Sequence, residues 1–182
     1  MTSTTTALFL GGRSGVGKST VALALHELLI SRRVKHAVIE GDNLDLAYPA
    51  PWVAYPDAGL AEANLAAVWS NYRALGYRRV IYTNTVSVLQ MSTLTAALGG
   101  DVESVGVLLR SSERSAEERL LAREQGAALA QQMQRSAEAA IRLDREAAAD
   151  VHRIETDELT PQQIAERILT LIDWADGSPE VH

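Results

Sequence analysis

The chain has 182 residues, 47% of them hydrophobic, and no stretch rich in Pro, Gly and Ser divides it, so residues 1–182 are expected to form a single domain around one core. A formal net charge of −6 offers no general attraction to nucleic acid or to an anionic membrane surface, and no apolar run approaches the length of a membrane span. With no cysteine, disulfides and thiolate metal sites are excluded, and His26, His36, His152 and His182 are scattered without ligand spacing.

Residues 1–6 are rich in Ser and Thr and have neither the basic segment nor the apolar core of a secretory leader, which predicts a cytoplasmic location. Ala7, Leu8, Phe9 and Leu10 form a short uninterrupted apolar run, as a strand covered on both faces should. After a glycine-rich stretch, Val21, Leu25, Leu28 and Leu29 recur at helical spacing. Residues 34–39 read as a second strand ending in Glu40, Gly41, Asp42 and Asn43, and Pro49, Pro51 and Pro56 make 48–56 an irregular loop carrying Tyr48, Trp52 and Tyr55. Ala61, Leu65, Val68, Trp69 and Tyr72 predict a helix, residues 80–83 a third strand, and Val88, Met91, Leu94 and Leu98 a further helix with a partial periodic match, stopped by Gly99 and Gly100. Residues 105–109 read as a fourth strand, and Ser115 with Glu118 as the capping box of the next helix, which carries Arg119 and Arg123. Residues 127–149 are rich in good helix formers, 151–154 suit a short last strand, and Thr160, Pro161 and Gln163 cap a closing helix with Ile164, Ile168, Leu171 and Ile172 on one side. Strands alternating with helices predict an α/β fold, a parallel sheet with ligands at the carboxyl ends of its strands.

Gly12, Arg13, Ser14, Gly15, Val16, Gly17, Lys18, Ser19 and Thr20 fit the phosphate-binding pattern G-x-x-x-x-G-K-[ST], in the strand-to-helix context that the pattern requires. The glycines let successive N–H groups turn inward toward a polyphosphate, and the free N–H groups of the following helix add partial positive charge. Lys18 then reaches the β- and γ-phosphates, Ser19 offers its hydroxyl to Mg2+, and Thr20 lies near the α-phosphate.

Two more groups of residues sit at strand ends. The third strand ends Tyr82, Thr83, Asn84 with no carboxylate, so Glu40 and Asp42 are candidates to divide the work, one near the magnesium shell and one toward an acceptor hydroxyl. The same residue types also make an ordinary turn. Arg119 and Arg123, one helical turn apart, can neutralise a phosphoryl-transfer transition state from a mobile segment, or belong to a solvated helix of alternating charge.

In this order, the phosphate loop, Glu40 to Leu44, Arg119 to Glu124, and Glu155 to Asp157 before Thr160 resemble the small phosphate-loop kinases: shikimate, gluconate and adenylylsulfate kinases, chloramphenicol phosphotransferase and tunicamycin-resistance ATP-binding proteins. Gly41, Asp42, Asn43 and Leu44 are similar to adenylylsulfate kinase, whose motif continues with Arg where this chain has Asp45, and the tail from Leu120 to Ile168 is similar to the tunicamycin-resistance proteins. The resemblance implies a three-layer fold with a five-stranded parallel sheet in the order 2-3-1-4-5, helices on both faces and a helical lid at about 111–135. It further implies ATP and Mg2+ as cofactors, Glu40 in the outer magnesium shell, and Asp42 orienting or deprotonating the acceptor. Arg119 would pack near adenine or phosphate, Arg123 approach the transferred group, and backbone around Thr156 and Asp157 border the adenine.

The resulting expectation is an ATP-dependent kinase acting on a hydroxyl of a small metabolite or antibiotic, with an acceptor pocket lined by Asp42, Asn43, Trp52, Tyr55, Thr83 and Asn84. Its partners are then small molecules, neither nucleic acid nor membrane, with room for a homodimer. A nucleoside monophosphate kinase and a resistance protein that sequesters its ligand without phosphorylating it are the alternatives.

Overall fold

The structure, a computed structural model, describes residues 4–123 and 127–174. Five parallel strands, β1 (Thr5–Gly11), β2 (Ala37–Glu40), β3 (Arg79–Thr83), β4 (Val102–Arg110) and β5 (His152–Glu155), form a sheet in the order β2-β3-β1-β4-β5. The central strand is apolar from Ala7 to Leu10 because that stretch is covered on both sides. Leu8 and Leu10 face α1 (Lys18–Ser31) and, last in the chain, the helix Pro161–Ile172, through Val21, Leu25, Ile164 and Ile168. Ala7 and Phe9 face the other way, toward Leu65 and Trp69 and toward Leu94 and Leu98, with Phe9 edge-on to Tyr82 at 6.0 Å.

Between these lie α2 (Pro51–Ala54), α3 (Leu60–Ala74), α4 (Met91–Leu98), α5 (Glu113–Arg123) and α6 (Ala127–Glu146), and Pro161–Ile172 is α7. Among the described residues no helix is long and apolar enough to cross a membrane.

Several boundaries differ from the periodicity for identifiable reasons. The second strand begins at Ala37, because Arg33 takes φ 58° and Val34 is still bonded to Leu29 O at the end of α1. The proline segment is not wholly irregular, since Pro51 stands in the first turn of α2, where a missing N–H costs nothing. Val88 sits in a 3₁₀ turn, Ser87–Leu89, and packs with Leu108, Leu143 and Val151, whereas Leu94 and Leu98 of α4 pack under α3. Residues serving two clusters cannot share one helical stripe. Ser112, not Ser115, caps α5, because its Oγ accepts the Ser115 N–H at 3.2 Å, and Glu118 instead pairs with Arg114 at 2.9 Å. The capping box at Thr160 and Gln163 forms as the sequence predicts.

Candidate active site

The carboxyl ends of β1, β2 and β3 meet at the phosphate loop. Gly12 and Gly15 take φ of 147° and 81°, and a Cβ at either would stand 2.7 Å from a backbone oxygen, that of Leu109 or of Ala116. Both left-handed torsions and close packing therefore demand glycine there. At Gly17, φ 103°, a Cβ would meet nothing within 4 Å, so the loop is open on that side.

Lys18 is buried, and its Nζ donates to Gly12 O at 2.9 Å and Arg13 O at 3.4 Å and reaches Thr85 Oγ1 at 3.5 Å. An ammonium held against loop carbonyls at the mouth of a helix N-terminus fits a polyphosphate, whose oxygens are stronger acceptors. Ser19 and Thr20 are exposed on the first turn of α1. Val16 enters the main core.

Arg13 turns away from the mouth of the loop. It is 5% exposed, and its Nε donates to Ser136 Oγ at 2.9 Å, while the Ser136 hydroxyl donates to Ser14 O at 2.8 Å. Through this relay α6 holds the back of the loop. Only one buried serine in a run of Ala, Gln, Arg and Glu marks the contact in sequence, and nothing local distinguishes it from a surface serine.

On the α5 side, Arg119 Nη1 donates to Val16 O at 3.0 Å and approaches Gly15 O at 3.5 Å. With Gly17, Thr20, Thr156, Leu159 and Pro161 it lines a cleft of about 140 Å³. Asp157 lies beside the cleft but accepts the Ser112 N–H at 2.9 Å, bracing the start of α5. Arg123 ends α5, and its side chain lies outside the described residues, as does part of the expected lid.

On the opposite side, Glu40 and Asp42 are each tied to the end of β3. Thr83 Oγ1 donates to Glu40 Oε2 at 2.7 Å, and Asn84 Nδ2 donates to Asp42 Oδ1 at 2.8 Å. A Cβ at Gly41 would collide with the Tyr82 ring, which explains a glycine between the two acids. Asp42 is exposed, and the part of its hydration that it loses raises its pKa above the ordinary value, while Lys18 and the Thr85 backbone oppose the rise and Glu40 and Asp45 add to it. The chain just past β3 therefore reaches Lys18 through Thr85 Oγ1 and Asp42 through Asn84 Nδ2, a juxtaposition the sequence did not reveal.

Beyond Asp42 opens a pocket of about 380 Å³, with Trp52, Tyr55, Tyr82, Asn84 and Leu60 in its wall. Of the residues expected there, Trp52, Tyr55 and Asn84 are brought together. Thr83 is fully buried and serves Glu40 instead, while Asn43 is exposed on the 3₁₀ turn Gly41–Asn43, outside the wall, and Asp42 joins it through Asn84. Among the described residues no group of three or more His, Asp or Glu could enclose a metal ion. Ser19, Glu40 and Asp42 are hard oxygen donors of the kind that suit Mg2+ shared with phosphates.

A sequence profile of the adenylylsulphate kinase family matches residues 4–48, the segment from β1 past Asp42. No curated protein sequence matches the chain significantly. Solved structures match over nearly its whole length. The tunicamycin resistance protein of Deinococcus radiodurans is 19% identical, covers 92% of this chain and 95% of its own, and superposes with a TM-score of 0.62. The fold is that of the small phosphate-loop kinases. A gluconokinase from Sinorhizobium meliloti 1021 gives 20% identity, 92% and 91% coverage and a TM-score of 0.58. The Mycobacterium tuberculosis APS kinase, solved with AMPPNP and APS, gives 17%, 93% and 98%, and 0.55. All three share this chain's fold at low identity.

Proposed function

We propose that the protein is an ATP-dependent phosphotransferase that moves the γ-phosphoryl group to a hydroxyl of a small molecule. The observation that carries this reading is the end of β3, where Thr85 Oγ1 stands 3.5 Å from the phosphate-loop lysine and the neighbouring Asn84 donates to Asp42 at 2.8 Å and enters the wall of the aromatic pocket. The AMPPNP bound by the structurally similar APS kinase supports an adenine nucleotide. The profile match ends at residue 48, short of α2 and α3, and so gives no support to adenylylsulphate as the acceptor.

In the reaction, the loop amides and Lys18 hold the β- and γ-phosphates, and Arg119 with Thr156 and Leu159 borders the base. Arg123, one turn beyond Arg119, is proposed to approach the transferred group when α5 moves. Mg2+, bound with the nucleotide, would be held by Ser19, with Glu40 and water outside it, and would supply charge neutralisation. Asp42 accepts the acceptor's hydroxyl proton as the new oxygen–phosphorus bond forms and the bond to the β-phosphate oxygen breaks, releasing ADP.

Lys18→Ala tests the reading. It should cut ADP release by about 10² to 10³, the loss typical of one preorganised charge on a transition state, while circular dichroism stays unchanged. Turnover equal to the parent's overturns the assignment, and ligand binding with no ADP release by the parent favours sequestration.

A further inference from the structure

Among the described residues, the wall of the pocket beyond Asp42 holds no cation. Its charged lining residues are Asp45 and Glu62, both acidic, and the remainder is aromatic, aliphatic, proline or neutral amide. The Tyr82 phenol in that wall is pushed up to about 12, first by burial and then by Asp42, Glu62 and Asp45, so the surrounding potential is negative. Exposed apolar side chains are also dense in the segment that supplies Trp52, Tyr55 and Leu60 to this wall. Leu46, Tyr48, Trp52, Val53, Tyr55 and Leu60 are all exposed within one short segment, whereas the other large exposed apolar residues described are dispersed over the rest of the chain.

A carboxylate, sulfate or phosphate on the acceptor would enter beside two acids with no Lys, Arg or His in the wall to pair it, and unpaired like charge costs several kcal/mol. A ring can lie on Trp52 or Tyr55, and an ammonium can be held by Glu62, Asp45 and the aromatic faces. We infer that the acceptor is a ring-bearing alcohol that is uncharged or cationic, and that anionic hydroxyl metabolites are excluded. This rests on the phosphotransfer reading of the same site, and names its substrate class.

Three matched probes decide it: phenyl β-D-glucoside, phenyl β-D-glucosaminide and phenyl β-D-glucuronide, alike in size and differing in charge. Trp52 is 57% exposed, while Trp69 and Trp174 are buried, so tryptophan fluorescence of the full chain, checked against Trp52→Phe, reports on the pocket directly. The glucoside and glucosaminide should quench Trp52, and the glucuronide should bind about tenfold more weakly or worse. In Glu62→Lys the glucuronide should gain affinity and the glucosaminide lose it, with Glu62→Gln between them. Equal or tighter binding of the glucuronide by the parent, or no quenching by any of the three, overturns the inference. ADP release measured alongside separates the two readings. Charge-selective binding without ADP release overturns phosphotransfer and keeps the selectivity, and release driven by the glucuronide does the reverse.

Discussion

Asp42 is an ionised group that the fold disfavours. Its pKa lies above the ordinary carboxylate value, so between those two values the folded chain binds the proton more tightly than the unfolded chain, and stability falls as pH rises through that window. Asp42→Asn should therefore raise the melting temperature slightly at pH 7, by under about 2 °C because the carboxyl is exposed and screened by water, and the gain should vanish in acid. The same substitution should lower turnover by about 10², the low end for a positioned base, with ADP affinity unchanged. Glu40→Gln should instead raise the magnesium concentration needed for half activity. Kinetics at varied magnesium separate the two, and exchanged phenotypes would mean exchanged roles. His36 carries the opposite sign. Burial lowers its pKa, the hydrogen bond that its Nδ1–H donates to Val34 O at 2.7 Å opposes the fall, and His26, whose Nδ1 stands 2.8 Å from its Nε2, and Arg79 add to it. The neutral ring is favoured in the folded state, so this contribution is present above the ordinary value of 6.5 and lost as pH falls below it. Urea midpoints at pH 7.5 and 5.5 should differ more for the parent than for His36→Gln.

At the scale of elements, α6 acts as the rear support of the phosphate loop. The relay from Arg13 through Ser136 to Ser14 ties residues more than a hundred positions apart, and Ser136 is 2% exposed. Ser136→Ala leaves the Arg13 Nε and the Ser14 carbonyl without these partners, which should cost about 1 to 3 kcal/mol. Denaturant titration reads that loss, and isothermal titration should show weaker ADP binding, because a loop that must be ordered by its ligand spends binding energy on ordering. Full ADP affinity in a destabilised variant would assign the relay to folding alone. A second tie, Arg110 to Asp144 at 3.0 Å and to Glu155 at 3.1 Å, links β4 to α6 and β5, but these side chains are largely solvated and should contribute little.

For the whole molecule, a nucleotide that binds only the folded chain couples the phosphate loop to global stability. At a hundredfold excess over Kd, MgADP should add about 2.7 kcal/mol, a rise of roughly 5 to 10 °C for a chain of this size. Differential scanning calorimetry should find most of that rise missing in Lys18→Ala. Magnesium alone should add little, since no group of three or more carboxylates or imidazoles among the described residues encloses a cation. A rise with magnesium and no nucleotide would point to an ion site in this chain independent of phosphate.

Contiguous residues carry the phosphate loop, the parallel α/β arrangement and the capping box at Thr160, because each depends on local geometry: a glycine pattern, a hydrophobic period, a side chain reaching its own backbone. The strand order matched the resemblance rather than any periodicity, since local spacing does not say which strands lie side by side. What only the tertiary structure decided are relations between distant segments. Thr83 is a strand residue of unremarkable type until β2 lies beside β3 and makes it the partner of Glu40. Thr85 reaches Lys18 and Asn84 reaches Asp42 because β1 and β2 flank β3 on either side. Ser136 becomes a support only when α6 reaches the loop. The charge of the pocket also depends on assembly, because Asp45, Glu62 and Tyr82 come from three separate segments and their fields add only after those segments meet.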